Sequence, residues 1–156
     1  LILKGCLSSS SDTNPSLPPS PQRGEGRVRG KLIGVGIDLV SWDRIKSLLD
    51  RHPADSLKRL LTPSERKIFK NSSDPVRSFG RFFAAKEAYF KASGASAMGE
   101  KGFRGIEVLI DGDREFSAVS PLFDPEGQYE IGGEFFETPE GIGAGVLLWK
   151  SCREEV

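Results

Sequence analysis

Histidine occurs once in this 156-residue chain and cysteine only twice, which removes most of the usual catalytic machinery. Cys6 and Cys152 stand near opposite ends without metal-type spacing, and the lone His52 precedes Pro53 in a loop context. Zinc sites need clustered Cys and His ligands, and nucleophile–histidine couples need a partnered histidine, so neither class has support. The two thiols read as reduced, in a cytosolic protein. Long apolar runs are missing too: nothing approaches the ~20 residues of a membrane span. Neither charge is in excess, because Lys+Arg and Asp+Glu each number 22, so net charge gives no reason to expect a nucleic-acid or membrane partner. What remains is an ordinary soluble composition, 37% hydrophobic and 28% charged, long enough for one domain with a real core.

The first thirty residues differ from the rest. "LILKGCLSSSSDTNPSLPPSPQRGEGRVRG" has a short apolar start and then a tract of Ser, Pro, Gly and Arg. Such a composition buries too little surface to offset the entropy of ordering. The apolar start is shorter than the roughly 7–15 residues of a signal-peptide core. The chain opens on Leu1, and an upstream start assigned in error would give this picture, with translation beginning near Lys31. Residues 1–30 are expected to be a disordered tail, 31–150 the folded domain, and 151–156 a C-terminal tail.

"KLIGVGIDLV" (31–40) alternates as a strand, with Ile33, Val35, Ile37 and Leu39 on one face and Gly34, Gly36 and Asp38 on the other. Glycine within a strand often marks close approach of another group, so Asp38 stands on a face cleared of side chains. Ser41 is a plausible cap for a helix with an Ile45, Leu48, Leu49 stripe, ending before Pro53. A short helix from Asp55 follows, and "TPSE" (62–65) is a capping box opening a third helix. The longest helix is "SDPVRSFGRFFAAKEAYFKASG", capped by Asp74 and stopped at Gly94. Beyond it, "GIEVLI" (105–110), "REFSAV" (114–119), "GQYEIGG" (127–133) and "GIGAGVLLW" (141–149) read as strands. A strand, several helices and then an antiparallel run of strands predict an α+β fold.

Two carboxylates look out of place. Asp38 lies on the glycine face of the first strand, and Glu87 interrupts the apolar stripe of Phe83 and Phe90 on the main helix. If strand and helix pack together, the two converge, and two carboxylates with open positions are a usual protein contribution to Mg²⁺. Lys91, one turn beyond Glu87, is placed to meet a phosphate, and Arg44 and Arg81 offer further cations. Spacing alone leaves simpler readings open. Glu87 and Lys91 are also an ordinary i,i+4 surface pair, Asp38 a strand-end residue bonded to the next helix, and Arg44 a solvated charge.

Together, "IGVGIDLVSWDRI" (33–45) and "GRFFAAKEAYFKASG" (80–94) resemble the holo-acyl-carrier-protein synthase family, the small 4′-phosphopantetheinyl transferases. Its hallmarks are a G-[IL]-D strand followed by a helix bearing R-I, and an F-A-A-K-E-A-x-x-K-A helix. The resemblance, best over roughly residues 31–110, implies the 4′-phosphopantetheinyl transferase fold. It implies transfer of 4′-phosphopantetheine from coenzyme A to a serine of an apo acyl carrier protein, releasing adenosine 3′,5′-bisphosphate, as in fatty-acid synthesis. Asp38 and Glu87 become Mg²⁺ ligands, and Glu87 and Lys91 catalytic residues. Arg44, Arg81 and Lys86 become contacts of the coenzyme. The resemblance also implies a cytoplasmic homotrimer with sites between subunits.

The second half departs from the family pattern. A late H-V-S-x-S-H strand is usual, whereas "YEIGGEFFETPEG" (129–141) has no Ser–His pair, and "ASAMGEKGF" (95–103) replaces a short G-T-G turn. A non-catalytic module that binds a carrier protein or nucleotide is therefore the alternative. Basic residues gather between 44 and 70, and Arg44 and Arg51, seven apart, share one helix face suited to an acidic carrier protein.

Overall fold

The computed structural model describes residues 30–51, 53–94, 102–121 and 123–151. Cys6, His52, Cys152, the tails 1–29 and 152–156, and most of the 95–103 loop lie outside the described residues. Strand β1 (Gly30–Ser41) leads into helices α1 (Trp42–Arg51), α2 (Pro53–Leu60), α3 (Pro63–Lys70) and α4 (Pro75–Ser93). A 3-10 turn at Phe103–Gly105 then opens β2 (Glu107–Asp111), β3 (Glu115–Val119), β4 (Tyr129–Thr138) and β5 (Gly141–Ser151). The five strands form one antiparallel sheet in the order β1-β5-β4-β3-β2, so the first and last strands of the chain are neighbours. The expected α+β architecture is present. The expected element at 127–133 runs on through Phe135, Phe136 and Thr138, because β4 keeps pairing with β5 up to Gly141.

Local chemistry sets the helix ends as expected. The Ser41 hydroxyl accepts from the Arg44 amide at 3.3 Å. Thr62 and Glu65 form a reciprocal capping box with Pro63 in the first turn. Asp74 caps α4 through the Arg77 amide at 3.0 Å, and Gly94 closes it at φ +66, a left-handed conformation that favours glycine.

Helix α4 is the spine of the core. Phe79, Phe82, Ala84, Ala85 and Ala88 are buried against Val40 of β1, Ile142, Ala144, Val146 and Leu148 of β5, and Ile45 of α1. The face of β1 that meets α4 is the glycine face. A Cβ at Gly36 would come within 1.9 Å of the Ala88 carbonyl oxygen, and one at Gly34 within 1.9 Å of that of Ala92. The absent side chains let the helix lie directly on the strand backbone. The aliphatic face of β1 points the other way and is uncovered: Ile37 is 61% exposed, and Val35 and Leu39 55% each. No helix among the described residues is long and apolar enough to cross a membrane.

Candidate active site

The close seating of α4 on β1 brings Asp38 to the side chains of Glu87 and Lys91. Lys91 Nζ donates to Asp38 Oδ1 at 2.8 Å and to the Ile37 carbonyl at 3.0 Å. The i,i+4 ion pair between Lys91 and Glu87, which spacing alone allowed, is replaced by this pairing across to the strand. Glu87 is partly buried, and burial raises its carboxyl pKa above the ordinary range. The negative charge of Asp38 raises it further, while Lys91 and Arg44 pull it down. Two carboxylates and an ammonium from separate elements thus share one small region.

Arg44 joins from α1, with its guanidinium 5.6 Å from the centre of the Phe83 ring, which is one turn before Glu87. Arg81 points away from this cluster. It lies about 9 Å up the helix from Glu87, by the rise of six residues. Its Nη2 donates to the Asp113 carbonyl at 2.5 Å, and the guanidinium lies 5.3 Å from the centre of the Phe135 ring. Its Nε is buried without a partner among the described residues. Arg81 lines a pocket at the start of α4 with Ser72, Asp74, Arg77 and Ser78. Burial and the nearby Arg77 charge lower its pKa.

Lys86 departs from the expectation of a coenzyme contact. Its side chain is fully buried, and its ammonium donates to the Leu60 carbonyl at 2.8 Å, Glu65 Oε2 at 2.6 Å and the Phe103 carbonyl at 2.8 Å. Three donors are spent on three acceptors, so none remains for a nucleotide. The physical reason is Glu65, whose carboxylate also accepts from the Thr62 and Val108 amides at 2.8 Å each and needs a cation inside the core. The capping box marked Glu65 as a helix-start residue; its partnership with Lys86, 21 positions on, has no local sequence signal.

The donor set at Asp38 and Glu87 fits a hard divalent cation. Both are carboxylate oxygen donors on different elements, and no third Asp, Glu, His or Cys joins them among the described residues. Mg²⁺ bound by one or two carboxylates, with waters and substrate phosphates completing its shell, needs no more from the protein.

Comparison with known proteins places this geometry in a family. Residues 34–135 match the family described as the 4′-phosphopantetheinyl transferase superfamily. The chain is 42% identical to a holo-acyl-carrier-protein synthase of Halalkalibacterium halodurans over 83 residues, 51% of this chain and 68% of that protein. It is 33% identical to one of an Azoarcus species over 125 residues, 69% of this chain and 98% of that protein. Among solved structures, the holo-acyl-carrier-protein synthase of Neisseria meningitidis is similar with a TM-score of 0.67 at 28% identity, over 76% of this chain and 98% of that one. The Bacillus anthracis enzyme, in complex with coenzyme A (3′,5′-ADP), gives 0.64 at 28% identity, over 77% and 98%. With both hallmark segments on the strand and helix that carry Asp38, Glu87 and Lys91, the chain belongs to the 4′-phosphopantetheinyl transferase superfamily.

Proposed function

We propose that this protein is a holo-acyl-carrier-protein synthase, transferring 4′-phosphopantetheine from coenzyme A to a serine of an apo acyl carrier protein. The observation that carries this reading is the convergence of Asp38, Glu87 and Lys91 at one β1–α4 contact, in a chain similar to enzymes of that name. In the transfer, the serine oxygen bonds to the phosphorus bearing the pantetheine arm. The phosphoanhydride bond breaks, and adenosine 3′,5′-bisphosphate leaves. Asp38 and Glu87 would hold Mg²⁺, which when bound supplies charge neutralisation on the pyrophosphate. Lys91 is long and half exposed, and its ammonium turns from Asp38 to the phosphate oxygens when these arrive. The serine proton passes to the Glu87 carboxylate. Arg44 screens Glu87 and offers a cation to the coenzyme phosphates, and Arg81, which lines the pocket at the start of α4, is a further cation for the coenzyme.

The chain works, on this reading, as a homotrimer in the cytoplasm, with coenzyme A and apo carrier protein as its partners. The uncovered aliphatic face of β1 supports the assembly. It continues through Leu147 of β5 and borders a groove of about 560 Å³ lined by Phe116, Gly133 and Trp149. An exposed basic surface on α1–α3, including Lys46, Arg51, Arg59 and Lys67, is the docking face for the acidic carrier. Incubation with coenzyme A, Mg²⁺ and apo carrier protein tests the reading. The carrier should gain the mass of one phosphopantetheine group as an equal amount of adenosine 3′,5′-bisphosphate appears, and absence of both at saturating substrate refutes it.

A further inference from the structure

A charged pair in the middle of an apolar core needs a reason. Lys86 and Glu65 have side chains with no exposed surface, and burial lowers the Lys86 pKa by more than the Glu65 charge raises it. Desolvation of both ions is costly, and apolar residues of similar volume often serve stability as well or better. Directional bonds are what an apolar replacement lacks. Through Lys86 and Glu65, α4 is tied to the end of α2 at Leu60, to the N-cap of α3 at Thr62, to the 3-10 turn at Phe103 and to β2 at Val108.

The place of this clamp on α4 gives it a function. Successive helix residues are about 100° apart, so Lys86 and Ala88 lie on nearly opposite sides, with Glu87 about 100° from each. The side carrying Ala88 and Ala92 is gripped by the glycine face of β1, where Gly36 and Gly34 admit the helix backbone. Lys86 is gripped from the other side. Glu87 stands at the opening between the two grips and is the one residue between Phe79 and Phe90 that is not buried. Rotation of α4 by about 10° would move a carboxylate some 6 Å from the axis by roughly 1 Å. Misplacement of about 1 Å costs on the order of 10²-fold in rate.

We propose that Lys86 and Glu65 are positioning residues for the transfer reaction: their buried ion pair fixes the rotation of α4 and thereby the placement of Glu87. The role rests on the reading of Glu87 given under the proposed function. Lys86 acts here through its neighbour, without touching coenzyme A or the carrier.

The test separates placement from stability. The double variant Lys86→Met/Glu65→Leu removes both charges at nearly constant volume but leaves the Leu60 and Phe103 carbonyls and the Thr62 and Val108 amides without these partners. Its Tm should therefore fall, and kinetics and binding are read on folded protein well below that Tm. Its kcat should fall about 10–100-fold, the range typical when support of a metal ligand is lost. Calorimetric affinity for coenzyme A with Mg²⁺ should weaken by a similar factor, while KM for the carrier protein stays within about twofold. A clamp that serves only the fold would lower Tm and leave kcat and coenzyme affinity of the folded protein unchanged, and that result overturns the proposal. Should the double variant not fold, Glu65→Gln keeps the shape and one acceptor; a wild-type kcat in it likewise overturns the proposal, and a reduced kcat with normal carrier KM supports it. A wild-type protein that transfers nothing refutes the reaction and this role together. Wild-type transfer matched by the variants refutes the positioning alone.

Discussion

Lys91 gives its ammonium to Asp38, 53 residues away, and not to Glu87 one turn before it on the same helix. The bond is 2.8 Å, with a second at 3.0 Å to the Ile37 carbonyl, and it spans the contact at which glycines seat α4 on β1. A cation from the protein thus occupies an oxygen that the proposed function assigns to a metal.

Lys91→Met should therefore have two opposite effects. Transfer should fall by roughly 10²–10⁴-fold, the range for loss of a group that handles a proton or a developing charge. Binding of Mg²⁺ without coenzyme A should tighten, because no ammonium competes for Asp38. Calorimetry on the coenzyme-free protein reads the second effect, and unchanged or weaker Mg²⁺ affinity would contradict the competition.

Glu87 should weaken the fold that presents it. Its folded pKa is raised by burial and by Asp38, so its contribution to stability is full below the ordinary value of 4.5 and is lost as pH rises through the higher folded value. At neutral pH, with a chelator present, Glu87→Gln should therefore raise Tm. The gain should vanish near pH 4, and transfer should be slower by about 10²-fold or more throughout. A lower Tm at pH 7 would show that ionised Glu87 stabilises the fold.

Ile37→Glu places a charge on the uncovered face of β1, where the residue is 61% exposed and supports no internal core. Sedimentation should give a trimer for the wild type and a smaller, still folded species for the variant, with transfer reduced at least tenfold where sites form between subunits. A wild-type protein that sediments as an active monomer contradicts the assembly.

Arg51 is exposed, and among the described residues its guanidinium bonds to Ser47 of its own helix, 2.6 Å to the hydroxyl and 3.2 Å to the carbonyl. Arg51→Glu should raise KM for the carrier protein by about tenfold at low salt, with the difference shrinking as ionic strength rises, and leave KM for coenzyme A unchanged. Equal carrier KM for wild type and variant at low salt would remove this face as the docking surface.

Features governed by neighbours in the chain were legible in the sequence. The Thr62–Glu65 box, Asp74 and Gly94 act over three or four residues or through one backbone angle, so helix ends follow from local pattern. The meeting of Asp38 with Glu87 was legible through the glycines of β1, which announce a close approach without naming what approaches. Periodicity separates the two faces of β1 but does not say which faces inward, and here the aliphatic face is the open one. Lys86 shows the limit most clearly. It stands beside Glu87 in a motif that resembles a site, yet its partners Leu60, Glu65 and Phe103 come from three separate segments, and only packing reveals that its charge is held inside.

If the Asp38–Glu87 carboxylate pair supports phosphopantetheine transfer, single-turnover mass spectrometry of the carrier protein shows it. Apo carrier protein and coenzyme A are mixed with wild type, Asp38→Asn and Glu87→Gln, each with Mg²⁺ and with excess chelator. Wild type with Mg²⁺ should convert the carrier to the holo form, and the chelated sample and both variants should be slower by about 10²-fold or more. Conversion at the wild-type rate by either variant, or no conversion by wild type with Mg²⁺, would contradict the account.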